Sequence, residues 1–319
     1  MHRDVKTTIM LFSAACVWGL AFVAQVLGGD HLGPFTFNGM RFLLGAVALI
    51  PVYCLMERER DLESAERSIR HRKTGLAALM GGAAVFVASA LQQAGATMTR
   101  DPGKAGFITG LYTVLTPVLY FLIFRRKNNL STWIGCFLAT GGLYLLCLRE
   151  NGNGMLGLGE VLLLLGSLVW ACHIIIVDRV IDEISPLRFS AWQFFVVGVL
   201  GLLSGVAFEE ITLESVWAAK WAILFCGLLS VAVGYTLQVY AQRRADPTYA
   251  AIIFSTESVF AAVGGVLWNL VAPASLQVDQ EIRPIGYVGC LLILVGIVLS
   301  QVNPLSLLRK KDSPNSPAR

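Results

Sequence analysis

Glu257 is the residue whose type and placement could do the most chemistry. It lies in the apolar run AAIIFSTESVFAAVGGVL, about 11 residues after Asp246, which at ~1.5 Å per helical residue is ~16 Å into a ~30 Å hydrocarbon layer. An ionised carboxylate there is costly unless it faces protein or a wet cavity. Glu257 is therefore a candidate to bind a substrate amine or a coupling proton, against the alternative of a structural glutamate bonded to neighbouring hydroxyls. Arg41, in FNGMRFLLGAV, sits about eight residues, or ~12 Å, into its own apolar run. Arginine can snorkel over that distance, so an orientation anchor or packing ion pair competes with an anion-attracting or gating charge.

Uncharged polar groups accompany these two. Gln92 and Gln93 lie in one apolar run, and Gln238, Tyr240 and Gln242 in another. Polar contacts between helices in lipid contribute only ~0.6 kcal/mol on average, so structural glue competes with a cavity role for each. His173, one turn from Trp170, reads as a satisfied structural histidine more readily than as a proton relay. Trp18 and Trp170 fall near the middle of their runs rather than at the interfaces where tryptophan concentrates. As paired aromatics they could wall a cavity, and Tyr112, flanked by Thr109 and Thr113, sits at similar depth.

Other chemistry is missing from the sequence. No phosphate-binding GxxxxGK[ST], HExxH, GxSxG or clustered carboxylate pair occurs. The seven cysteines all fall in apolar runs and form neither a CxxC nor a Cys/His cluster, so they read as small buried hydrophobes. No metal site or cofactor is expected.

The elements that must position these residues are ten apolar stretches, at 7–27, 33–56, 74–97, 102–125, 130–148, 156–178, 185–208, 216–240, 247–270 and 284–302. Each is long enough to cross a bilayer, and lipid offers stray backbone groups no partner, so each should be helical. Charged residues make up only 14% of the chain against roughly a quarter in soluble domains, which leaves no room for a sizeable water-soluble domain. The first stretch is too long for a signal-peptide core and reads as an uncleaved helix. With the N-terminus inside, 19 of the 25 Lys and Arg fall in cytoplasmic segments, five in exterior links (Arg100, Lys104, Arg149, Lys220 and Arg283), and Arg41 within a span. The positive-inside rule then makes both termini cytoplasmic, and the scattered basic residues are a topology signal rather than a nucleic-acid surface. The loop Glu57–Lys73 alternates acids and bases and reads as a solvated turn or short helix. The tail over 303–319 is polar and Pro-rich and reads as disordered.

The chain also repeats. A shift of 152 residues superposes Trp18 on Trp170, Asp30 on Asp182, Pro34 on Pro186, Phe37 on Phe189, Val47 on Val199, and Arg41 on the unlike Gln193. Near the ends of the halves the shift is 154, pairing Gly135 with Gly289, Cys136 with Cys290, Leu138 with Leu292 and Gly142 with Gly296. Leu91-Gln92 resembles Leu237-Gln238, and Asp101-Pro102 resembles Asp246-Pro247. Five spans per half is an odd number, so the halves, 7–148 and 156–302, must be inverted with respect to one another. Inverted repeats are an architecture of secondary transporters, with substrate held near the midplane. Each Asp-Pro pair reads as a helix cap. Pro117 falls inside the fourth span and predicts a kink there; with Gly106 and Gly110 upstream, that span reads as a deformable gate. The Gly106/Gly110 and Gly201/Gly205 spacings permit close helix contact.

These residues resemble the drug/metabolite transporter superfamily, in particular its ten-helix EamA-type members. The resemblance rests on Trp18-Gly19, on Pro34 to Arg41, on Leu115-Thr116-Pro117-Val118, on Phe254 to Phe260 and on the closing Gly289 to Gly296 pattern, and it covers residues 7–302. It implies an inner-membrane carrier with a central cavity between spans 1–4 and 6–9, and spans 5 and 10 peripheral. It also implies export of amino acids, related metabolites or drugs. Many members carry Glu-Pro where this chain has Glu257-Ser258, which puts a second, symmetric kink in question.

The expectation is an all-α polytopic membrane protein of ten helices in two inverted five-helix repeats, moving a small-molecule substrate by alternating access. Glu257, Arg41, Trp18, Trp170, Gln92, Gln238 and Tyr112 are the substrate-binding or coupling candidates, and Pro117, Gly106 and Gly110 the gating candidates. The expected partners are a small-molecule substrate, a coupling proton and the bilayer, with no nucleic acid; a homodimer is left open. The competing readings are a membrane enzyme on a lipid substrate and a non-transporting membrane subunit.

Overall fold

The computed structural model describes residues 5–56, 64–125, 129–145, 156–180, 186–242, 253–254, 256–280 and 284–301. Asp246-Pro247, the tail and the start of the acidic–basic loop lie outside these residues. Where they are described, the ten apolar stretches are helical, and no strand occurs among the described residues. Spans 1 to 5 are Val5–Gly29, Pro34–Met56, Ser64–Thr99, Pro102–Gly110 continuing as Tyr112–Phe124, and Leu130–Leu143. Spans 6 and 7 are Leu158–Val180 and Pro186–Phe208. Span 8 runs from Lys220–Leu224 through Phe225–Gly234 to Tyr235–Gln242, span 9 contains Glu257–Val271, and span 10 is Pro284–Gln301. Span 3 is longer than its apolar stretch because the helix already begins at Ser64, within the charged loop.

Contacts between loops fix the relative directions. Arg100, between spans 3 and 4, pairs with Asp30 after span 1 and takes a backbone bond from Asp279 N, before span 10. Glu209, after span 7, accepts from Phe35 N and Thr36 N at the start of span 2, both at 2.8 Å. Lys104 lies 3.7 Å from Glu160 at the start of span 6. All these groups are at one end, hereafter the Arg100 end. Successive spans alternate in direction, and the two ends of the described chain lie together at the opposite end, with Arg179 and Arg188.

Packing follows an approximate twofold axis in the membrane plane. Spans 2 and 7 pack together, as do 5 and 10, and 4 and 9, each a repeat partner of the other; the pairs 3 with 6 and 8 with 1 exchange under the same operation. Glycine makes the closest approaches. A Cβ on Gly142 would sit 2.5 Å from Gly289 O, and one on its repeat mate Gly296 would sit 2.5 Å from Gly135 O. Gly201 and Gly39 bring spans 7 and 2 equally close, and Gly205 presses on Thr36. Large apolar side chains such as Leu122, Phe137, Leu203 and Leu291 point outward. A continuous apolar exterior of this kind belongs in lipid.

Candidate functional site

Spans 4 and 9 cross antiparallel, and each is interrupted near that crossing. In span 4 the interruption is at Leu111, whose φ, ψ of −61°, −17° and bond to Ile108 O tighten one turn. In span 9 it is at Thr256, with φ, ψ of −69°, −13° and a bond to Ile253 O. The shift of 145 that places Asp101-Pro102 on Asp246-Pro247 also places Leu111 on Thr256 and Tyr112 on Glu257. The second, symmetric break is therefore present without a proline. The kink expected at Pro117 falls six residues earlier instead, and Tyr112–Phe124 runs through Pro117 as one helix. Hydroxyls take up carbonyls in the turns before the proline, Thr113 Oγ1 donating to Gly110 O at 2.8 Å and Thr116 Oγ1 to Tyr112 O at 2.7 Å. Gly106 and Gly110 lie in the crossing. A Cβ on Gly106 would meet Ala261 Cβ at 2.7 Å, and Ser258 Oγ donates to Gly106 O at 3.1 Å.

Around this crossing lies a cavity of about 290 Å³, and Glu257, Arg41, Trp18, Trp170, Gln92, Gln238 and Tyr112 all line it. Gln93 does not; it is buried and donates to Gln25 O at 2.7 Å. The side chains of Tyr240 and Gln242 are outside those described. The Asp101-Pro102 cap is present, Asp101 Oδ1 accepting from Lys104 N at 2.9 Å.

The two tryptophans use the twofold relation in different ways. Trp18 donates Nε1–H to Ser230 O in span 8 at 3.0 Å, and Trp170 donates its own to Gln92 Oε1 in span 3 at 2.7 Å. Span 8 winds as a wide helix with i→i+5 bonds over Phe225–Gly234, a form that concentrates at functional sites. Gln92 then donates Nε2–H to Gln25 Oε1 at 3.1 Å. This chain of three side chains crosses the cavity towards the Arg100 end. Arg41 and Glu257 are not ion-paired with one another, and Tyr235 stands within electrostatic reach of both. Tyr235 also packs its ring edge-on against Trp18, centroids 5.3 Å apart, and against Phe194 at 4.6 Å.

Sequence reasoning did not pick out Gln25, Ser190, Ser230 or Tyr235 as lining, and it noted Gln193 only as the repeat mate of Arg41. Tyr235 had a usable signal, being one turn from Gln238 on the same helix face. His173 bonds Gln193 Oε1 at 3.1 Å, the satisfied arrangement expected of it, but both groups also line the cavity. Among the described residues no group of three or more His, Cys, Asp or Glu is close enough to hold a metal.

The profile of the EamA-like transporter family matches residues 5–148 and again 157–302, which is nearly the whole chain. The chain belongs to the EamA-like transporter family. It is 26% identical over 285 residues to an uncharacterised transporter of Archaeoglobus fulgidus, covering 89% of this chain and 82% of that one. It is 23% identical to the uncharacterised transporter YoaV of Bacillus subtilis, covering 96% and 99%. A solved crystal structure shares the fold at a TM-score of 0.60 and 16% identity, over 96% of this chain and 99% of the other. This EamA-like chain is thus a multi-pass membrane protein of a transporter family, which implies a small-molecule substrate and a bilayer as its surroundings.

Proposed function

We propose that this chain is a secondary active transporter of small organic metabolites such as amino acids, exporting them by alternating access around the midplane cavity. The observation that carries the reading is that one cavity, at the crossing of the two repeats, gathers a carboxylate, a guanidinium, two tryptophans and several amides. Pockets for small ligands are mostly apolar with a few placed polar groups, and transporter sites of inverted repeats are built where helices are discontinuous. Glu257 begins the second half of such a helix and is the group assigned to a coupling proton or a substrate amine.

Charge and closure support the loading side in this reading. The positive-inside rule assigns the Arg179 end to the cytoplasm, and the lining reaches towards that end through Val177, Phe189, Ser190 and Gln238. The Arg100 end is held shut by loop contacts, so this arrangement corresponds to an inward-facing state ready to load from the cytoplasm.

The test is flux of labelled amino-acid pools in proteoliposomes, with and without an imposed pH gradient. Saturable, protein-dependent flux that responds to the gradient is expected, and Glu257→Gln is expected to lower it at least tenfold and remove the gradient response. Unchanged rate and pH dependence in Glu257→Gln would remove that residue from the mechanism.

A further inference from the structure

Arg41 is a full charge in the cavity wall with no countercharge beside it among the described residues. Its side chain is nearly inaccessible, at 4% exposure, yet it lines the cavity. Nε–H donates to Asn38 Oδ1 at 2.8 Å, and Asn38 is itself held by donating Nδ2–H to Ser89 O at 2.9 Å. The rings of Phe42 and Phe37 lie 4.8 and 5.6 Å from its central carbon, and the Cys226 thiol is within hydrogen-bond reach of the guanidinium as a weak, uncharged partner. Among the described residues no carboxylate is within ion-pair distance, and no oxygen accepts from the two terminal nitrogens. The anchored edge of the guanidinium is thus fixed while its forked edge has no anion to meet.

A packing role would not require this asymmetry. Spans 2 and 7 are repeat partners in mutual contact, but the position related to Arg41 is Gln193, which is occupied with His173, and the position related to Asn38 is Ser190. Among the described lining residues, only one half of the cavity carries a Lys or Arg. An uncompensated buried charge is unfavourable until an anion arrives, and a guanidinium fork matches a carboxylate with two parallel hydrogen bonds. Trp18, Trp170, Tyr235 and Phe42 supply flat apolar walls to the same cavity.

We propose that Arg41 receives the carboxylate of the cargo, so that the protein selects organic acids and zwitterions with an apolar or aromatic body over the matching amides and amines. The inference rests on the carrier reading above and deepens it.

The test is calorimetric binding to the purified, full-length protein. The probes are aromatic and aliphatic L-amino acids, their C-terminal amides, their decarboxylated amines and their deaminated acids. Wild type is expected to bind the carboxylate-bearing members at least tenfold more tightly than the amides. Arg41→Gln should erase that preference, and Arg41→Lys should keep part of it, since the charge remains but the fork is lost. Asn38→Asp provides a variant that keeps the arginine itself: it sets a countercharge against Nε at the loss of the bond to Ser89 O, and should weaken acid binding more than amide binding. Equal affinity for acid and amide in wild type, a preference preserved in Arg41→Gln, or no binding of any carboxylate would overturn the proposal. Saturable flux of amides or amines alone would overturn it while leaving the carrier reading intact.

Discussion

Gln92 makes two bonds at once, accepting from the Trp170 indole and donating to Gln25. Replacing it with leucine leaves a buried N–H and a buried carbonyl oxygen without partners, and each orphaned group costs about 1–3 kcal/mol. Gln92→Leu is therefore expected to lower the melting temperature in detergent by several degrees, whereas Trp170→Phe, which removes only the donor, should cost less. The double variant should be less destabilised than the sum of the two, because the orphaned indole is gone; strict additivity would show that the bond contributes nothing. Of the seven cavity candidates, the polar ones could be named from sequence because polar groups within apolar spans are expensive and must face protein or water, and the two tryptophans because the repeat pairs them at mid-span. The same rule does not say which of them share a cavity. Gln93 obeys it equally, yet turns its amide to the span 1 backbone. Gln25 was not singled out for the opposite reason: one amide near a span end has no distinguishing pattern until Gln92 is seen opposite it.

At the scale of elements, the glycines separate contact from permissiveness. Gly141 and Gly142 are neighbours in span 5, but a Cβ on Gly141 meets nothing within 4 Å, while one on Gly142 would lie 2.5 Å from Gly289 O. A backbone carbonyl cannot swing aside, so Gly142→Ala must part spans 5 and 10, and overpacking of this kind typically costs about 1–3 kcal/mol. Gly141→Ala should be neutral or slightly stabilising through helix propensity. Thermal unfolding of the two variants side by side checks this, and equal melting temperatures would mean that spans 5 and 10 are not packed as described. The repeat pairs of glycines, 135 with 289 and 142 with 296, were readable from the sequence; that they meet across the axis was not, because a shift in sequence carries no contact. Helix breaks were harder still. Proline drew attention to Pro117, but the tightened turns are at Leu111 and Thr256, which have no unusual composition and are marked only by where two spans cross.

For the molecule as a whole, the Arg100 end is closed by contacts between loops, while the cavity lining reaches towards the opposite end. At the Arg100 end, Arg100 pairs with Asp30, lies 3.8 Å from Asp279 and donates to Gln277 O at 3.2 Å, so one side chain joins the loops after spans 1, 3 and 9. In the alternating-access reading proposed above, opening this end requires all of those contacts to part. The pairs are partly exposed, at 32% for Arg100 and 27% for Asp30, so each contributes no more than about 1 kcal/mol. A shift of that size changes a two-state ratio only about fivefold at most. Arg100→Ala is therefore expected to raise the population open at the Arg100 end by a few-fold without unfolding the protein. Cysteine-reactivity rates or paired spin-label distances across the Asp30 and Asp279 loops, measured in nanodiscs, report that population. If Arg100→Ala leaves both unchanged, closure does not depend on this side chain. The backbone bond from Asp279 N to Arg100 O and the Glu209 contact with the start of span 2 would then be the elements that hold the end shut. Glu209→Gln tests the second of these directly, since it leaves one acceptor oxygen where Phe35 N and Thr36 N now use two, turns an NH2 donor towards the other N–H, and removes the charge that strengthens both bonds. A still larger shift towards the open state in Glu209→Gln than in Arg100→Ala would place the closing energy in the pairing of spans 2 and 7 rather than in the loops above them.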